Sequence, residues 1–202
     1  EGGVGAVRVE VRGTDDSGAR VTSIVGVAEL VGTAAAATAS AFAVEALGDP
    51  DAYQDWLDRA AILAAFEALG TTAASMDMTV AYAKDRVAFG QRIGRYQGVK
   101  HKCADMYIKL ELARAHALHG AWAMGADAGE LRQAASAARV ASLDALSFTA
   151  EETVQLHGGI GFTWESDCQF YCRRNRQLAS ALGSSAWWAD RLVRALERRN
   201  AA

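Results

Sequence analysis

Proline is almost missing from this chain: Pro50 is the one example in 202 residues. Alanine, by contrast, occurs 44 times. A folded chain so poor in the main helix breaker and so rich in the best helix former should be mainly helical. Long apolar runs are missing too. None approaches the ~20 residues needed to span a bilayer, so no membrane span is expected. There is no surplus of positive charge. The formal net charge is −3, which leaves no general footprint for nucleic acid. Neither a charged n-region nor an apolar h-region opens the sequence, so no secretory signal is expected. Cysteine is scarce, at three residues. An odd number without a signal fits a reducing, cytoplasmic compartment better than a disulfide scaffold. Cys168 and Cys172 stand at i, i+4, but no matching His or Cys pair accompanies them, so no metal site is expected. Lysine is rare as well, 4 against 17 arginines, which reads as GC-rich codon usage. The numbering opens at Glu1 and not at methionine, so we expect a processed chain, a fragment, or a leading segment left out of the count.

Residues 4–12 alternate valine with polar or small residues, a strand signal. Thr14-Asp15-Asp16-Ser17-Gly18 is a turn cluster, and residues 20–31 hold a possible second strand. Residues 32–43 are rich in Ala and Thr without a clear period. Gly48-Asp49-Pro50 then punctuates the chain.

Beyond Pro50 the period changes. Leu57, Ala61, Ala64, Ala68, Thr71, Ser75, Met78 and Tyr82 recur at spacings of three and four. Val99 to Ala117 and Leu131 to Phe148 carry similar stripes. Such stripes mark helices that bury one face. With a shorter pair near 164–180 and 184–199, they predict a mainly α chain built on an antiparallel four-helix bundle. The domain reading is 1–50 as a β remnant and 51–202 as the bundle.

Two breaks in this pattern carry chemistry. The first is Arg86-Val87-Ala88-Phe89-Gly90-Gln91-Arg92-Ile93-Gly94, followed by Tyr96-Gln97-Gly98-Val99-Lys100. It sets a guanidinium and an amide beside glycine at a helix junction. The second is Gln155-Leu156-His157-Gly158-Gly159-Ile160-Gly161-Phe162-Thr163, then Glu165. Its glycines let backbone N–H groups approach an anion. Taken singly, each break also reads as a helix C-cap or a helix–helix turn, and Phe89 as core.

Together, in this order and separation, the two breaks resemble the acyl-CoA dehydrogenase family over residues 51–199. The resemblance implies the C-terminal four-helix-bundle domain of that flavoprotein fold. Residues 1–50 would be the end, or a remnant, of its middle β-domain, and the family's N-terminal helical domain would lie outside this sequence. The Arg-x-x-Phe-Gly pattern implies FAD binding. Arg86 would face the diphosphate or adenine side, Phe89 would pack on the adenosine, and Gln97 would hold the matching place on the second helix. Gln155, Gly158 and Gly159 would cradle the diphosphate and ribose. An arginine suits phosphate because it donates charge-assisted hydrogen bonds.

The same resemblance implies a glutamate that removes the α-proton of the acyl-CoA. Counted without gaps, its usual place is Leu182, before Gly183 and Ser184. Its rarer place on the first bundle helix is Ala60. Neither side chain can take a proton. Asp58 and Glu67 lie on that helix and read as solvated or capping side chains. Arg173 keeps a family arginine, but Arg174 follows where aspartate is usual. No residue is therefore assigned as catalytic.

The chain resembles the non-catalytic subunit of actinobacterial two-subunit acyl-CoA dehydrogenases. Those assemblies act on CoA thioesters of steroid side chains with fewer flavins than subunits. The implied cofactor is FAD. The implied partner is a catalytic paralogue that holds the acyl-CoA. An active homo-oligomer with an unrecognised base, and a flavin-free bundle used for assembly or regulation, are the competing readings. His101 reads as a helix-surface histidine and His157 as a loop histidine hydrogen-bonded to backbone. Trp187-Trp188 reads as core plus rim or as partner interface. The Arg173, Arg174 and Arg176 cluster reads as a solvated face or a CoA-phosphate contact.

Overall fold

A computed structural model describes residues 7–14, 20–25, 41–46, 50–125 and 129–201, with side chains from residue 53 onward. The chain divides into two compact units, Glu1–Trp56 and Leu57–Ala202.

The first unit holds a three-stranded antiparallel sheet in the order β2-β1-β3, with β1 at Val7–Thr14, β2 at Arg20–Val25 and β3 at Ala41–Ala46. In the central strand, Val9 lies opposite Val25 on one side and Val44 on the other. The alternating valines account for β1. β3 falls where the sequence showed no clear period.

The second unit is the helical one. Helix α1 runs Pro50–Asp85, starting on the one proline, whose missing N–H is no loss in a first turn. A two-rung hairpin follows, β4 Val87–Ala88 and β5 Gln91–Arg92. Then come α2 Gln97–Gly125, α3 Leu131–His157, α4 Cys168–Ser180 and α5 Ser185–Ala201. The chain is mainly α, as the composition implies. No helix among the described residues is long and apolar enough to cross a membrane.

α3 is the centre of the bundle and is buried along most of its length. One layer of core joins Ile62 to Ala123, Leu131 and Ala135. The next joins Ala65 and Leu69 to Leu110, Ala113, Ala138 and Ala145. These pairings run α1, α2 and α3 alternately up and down, so the end of α1, the start of α2 and the end of α3 share one end of the bundle. Alanine and glycine let the axes approach closely. A Cβ on Gly120 would stand 3.0 Å from Cγ1 of Ile62.

A second layer of interactions is polar. Asp58 is buried and pairs bidentately with Arg191, whose Nη2 lies 3.0 Å from Oδ2. Arg132 approaches the same carboxylate at 3.9 Å. Asp58 is therefore not the solvated or capping side chain expected of it. Arg191 reaches back to it from α5 and lies 5.0 Å over the ring of the fully buried Trp188. Glu67 is exposed and pairs with Arg174, in keeping with a solvated side chain.

Candidate functional site

The hairpin after α1 has a two-residue turn, Phe89-Gly90, with φ of 53° and 81°. Both positive values are what a primed hairpin turn needs. Glycine adopts this freely, whereas a bulky aromatic does so only under constraint. The constraint is visible. Tyr96 donates its hydroxyl to the carbonyls of Ala88 (3.1 Å) and Phe89 (3.4 Å), and Ile93 N–H donates to Arg86 O at 2.8 Å. The result puts the Phe89 ring 97% in solvent. It is not core. An aromatic ring displayed at a strained turn points to a ligand or partner rather than to packing.

Arg86 leaves the end of α1 exposed, and no carboxylate pairs with it among the described residues. Gln97 opens α2, also exposed. The short helix Ile93–Arg95 ties the hairpin to α2, and a Cβ on Gly94 would fall 2.9 Å from Ala83 O.

The second break is the end of α3. Gln155 is exposed on its last turn. Gly158 leaves the helix at φ 62° and donates its N–H to Gln155 O, the left-handed exit that glycine provides. A Cβ on Gly158 or Gly159 would meet nothing within 4 Å, so both glycines border open space. All six sequence-predicted residues thus belong to one end of the bundle.

The two breaks are joined directly. Tyr82, one turn before Arg86, stacks on His157 with ring centroids 4.2 Å apart. Its hydroxyl donates to His157 O at 3.4 Å. His157 is the last residue of α3, not a loop residue, and is buried with Nδ1 2.7 Å from Thr153 O. Sequence reasoning placed Tyr82 in an apolar stripe and did not link it to His157. Its position one turn before the arginine was the available signal. His101 is a surface residue of α2.

The two base positions are elsewhere. Leu182 lies between α4 and α5 at φ 60°, followed by Gly183 at φ 95°. Two side chains hold this turn. Trp188 Nε1–H donates to Leu182 O at 2.8 Å, and buried Arg139 donates to the carbonyls of Ala181 (2.7 Å) and Leu178. Burial pushes the Arg139 guanidinium below its ordinary value, and the charge of Glu67 opposes that. Arginine has so high an ordinary pKa that it stays charged. It therefore places a cation at the C-terminus of α4, where the helix dipole favours one. The Leu182 side chain packs against the Leu57, Ala61 and Trp188 cluster. Ala60 is half-buried on α1.

The arginine cluster on α4 divides three ways. Arg174 pairs with Glu67, and Arg173 lies 4.8 Å over the Trp164 ring. Arg176 joins Arg173, Phe162, Trp164 and Cys172 around an open cleft of about 270 Å³. Burial raises the thiols of Cys103, Cys168 and Cys172 above their ordinary value, so none is set up as a nucleophile. Among the described residues no cluster could hold a metal ion.

Comparison with known proteins bears on the family and the fold. Residues 50–197 match the family described as acyl-CoA dehydrogenase, C-terminal domain. The acyl-CoA dehydrogenase IpdE2 of Mycolicibacterium smegmatis is 43% identical over 141 residues, 70% of this chain and 42% of that protein. The chain thus spans less than half the length of this curated relative. Among solved structures, a variant of the Tcur3481-Tcur3483 steroid ACAD aligns with a TM-score of 0.73 at 24% identity, over 98% of this chain and 50% of that one. The ChsE4-ChsE5 complex from Mycobacterium tuberculosis aligns with a TM-score of 0.67 at 23% identity, over 93% and 55%. At these identities the two structures establish a shared fold. The chain belongs to the acyl-CoA dehydrogenase family, of which residues 50–197 form the C-terminal domain.

Proposed function

We propose that this chain is the FAD-adenosine-clamping, base-less subunit of a heteromeric acyl-CoA dehydrogenase, working in the cytoplasm with a catalytic paralogue. Residues 1–50 are then the end of the middle β-domain, and 51–202 the bundle that faces the partner. One observation carries the reading. The bundle end displays Arg86, the out-turned Phe89 ring and the open Gly158-Gly159 exit together, while the two base positions hold Leu182 and Ala60.

The residues present fit a dinucleotide. A guanidinium without a carboxylate partner suits a diphosphate, and an exposed ring suits an adenine face. Glycines with no Cβ let backbone N–H groups come close to phosphate oxygens. Arg86 and the Gly158-Gly159 backbone would hold the diphosphate, Phe89 the adenosine, and Gln97 and Gln155 the polar groups around it. FAD supplies the acceptor for the hydride that leaves the acyl β-carbon. This chain orients the cofactor's far end, and the partner supplies the base and holds the acyl-CoA. Similarity to a protein described as a steroid ACAD supports a steroid CoA thioester as substrate, and similarity to the ChsE4-ChsE5 complex supports a second, different subunit as partner.

Arg86→Ala tests the assignment. A lost charge-assisted contact to phosphate costs about 1.5–3 kcal/mol, or about tenfold or more in affinity. The purified mutant complex should lose FAD on gel filtration while its far-UV circular dichroism stays unchanged. Full flavin retention by the mutant would remove Arg86 from the site.

A further inference from the structure

We propose that Tyr82 and His157 are positioning residues that hold the two halves of the dinucleotide cradle in register. The inference rests on the function proposed above and assigns parts to two residues outside the six-residue set.

Between α1 and α3 the large apolar side chains lie away from the cradle, where Ile62 shares a core cluster with Leu131, and Ala68 with Leu143 and Leu146. Past Leu69 and Leu146 the buried side chains are polar or alanine: Thr72, Ser75 and Thr79 on α1, and Thr149, Thr153 and His157 on α3. What fixes the register near the cradle is polar. Thr153 Oγ1 on α3 lies 2.8 Å from Ser75 Oγ and 2.9 Å from Thr79 Oγ1 on α1. Its carbonyl receives His157 Nδ1–H at 2.7 Å. One turn on, Tyr82 stacks on that imidazole, 4.2 Å between centroids and 23° between planes. The Tyr82 hydroxyl reaches the carbonyl of His157, and the Tyr82 carbonyl accepts Arg86 N–H at 2.8 Å.

The chain of contacts therefore runs Arg86–Tyr82–His157–Gly158. Arg86 is the first residue past α1, and Gly158 the first past α3. A stacked aromatic pair contributes about 0.5–1.5 kcal/mol beyond its burial. Its larger effect is geometric, because a misplacement of about 1 Å in a positioning group can cost about 100-fold in function. Neither ring needs to touch the dinucleotide. Each acts through the backbone of the residue that does.

The test is an FAD titration of the flavin-stripped hetero-complex, followed by flavin fluorescence, for four variants. Tyr82→Leu removes the ring, Tyr82→Phe keeps the stack, and Arg86→Ala removes the phosphate contact. Leu131→Ala destabilises α3 at its opposite end, where Leu131 is buried. Tyr82→Leu should weaken FAD binding about tenfold, and Tyr82→Phe should stay within about twofold of the parent. Leu131→Ala should lower the melting temperature with FAD affinity unchanged. If Tyr82→Leu binds FAD as tightly as Leu131→Ala while Arg86→Ala is weakened, the positioning role is wrong and the clamp reading stands. If Arg86→Ala is also unaffected, the clamp reading fails and this proposal falls with it. Should Tyr82→Leu not assemble, His157→Leu removes the same stack from the other side and is judged by the same outcomes.

Discussion

At the scale of single residues, sequence position and physical surroundings separate. The sequence reads Asp58, from its helix alone, as a solvated or capping side chain. Its partner Arg191 lies 133 positions away, so no local pattern could reveal the pair. Burial of both groups means the pair is costly to break, whatever its net contribution. Asp58→Ala should cost about 3–5 kcal/mol in urea unfolding, because it leaves Arg191 buried without this carboxylate. Asp58→Leu combined with Arg191→Met should recover most of that loss. A cost below about 1 kcal/mol for Asp58→Ala would mean the pair is solvated in solution. Phe89 teaches the complementary lesson. Its letter fitted core or ligand contact equally well, and only the positive φ and the exposure of the ring decide against core.

At the scale of elements, the helices were legible and the short strands were not. The stripes at Leu57–Tyr82, Val99–Ala117 and Leu131–Phe148 fall within α1, α2 and α3, because a 3.6-residue period survives any tertiary context. The buried seam of α1 sits partly one residue off the predicted stripe, on Ala65, Thr72 and Thr79. Alanine hides such offsets, being equally at home on either side. The sequence marks Val87–Arg92 as a chemistry-bearing break at a helix junction but not as a hairpin, since two rungs are too short to show a period. β3 lay in a stretch with none. Glycine carried more information. Gly70 and Gly120 both lie inside helices, but a Cβ on Gly70 meets nothing within 4 Å, whereas one on Gly120 meets Ile62. Gly70→Ala should therefore raise stability by about 0.5–1 kcal/mol. Gly120→Val should lower it by about 1–3 kcal/mol through overpacking against Ile62. Denaturant midpoints compare the two, and equal signs would contradict the close α1–α2 approach.

At the scale of the whole molecule, several large apolar side chains of the bundle stand in solvent. Leu63 on α1 and Ile108, Leu112, Leu118 and Trp122 on α2 are each more than half exposed. Monomers rarely leave contiguous apolar patches of more than a few hundred Å² uncovered. The chain should be oligomeric, and a monodisperse 21.4 kDa species at micromolar concentration would contradict that. The family and the bundle were legible because the two motif segments sit at helix ends, where sequence and geometry are tightly coupled. The proposed division of labour between subunits rests on what stands at positions 60 and 182.

That division is the central claim, and the FAD-to-protein ratio of the complex tests it most directly. The chain is co-expressed with a paralogue that carries a glutamate at one of the two base positions. The flavin absorbance of the purified assembly is then set against its subunit content. The account predicts one FAD per pair of unlike subunits, and a colourless, inactive chain when this subunit is purified alone. Two FAD per pair, or a yellow lone chain that dehydrogenates acyl-CoA, would show that it holds a complete site of its own.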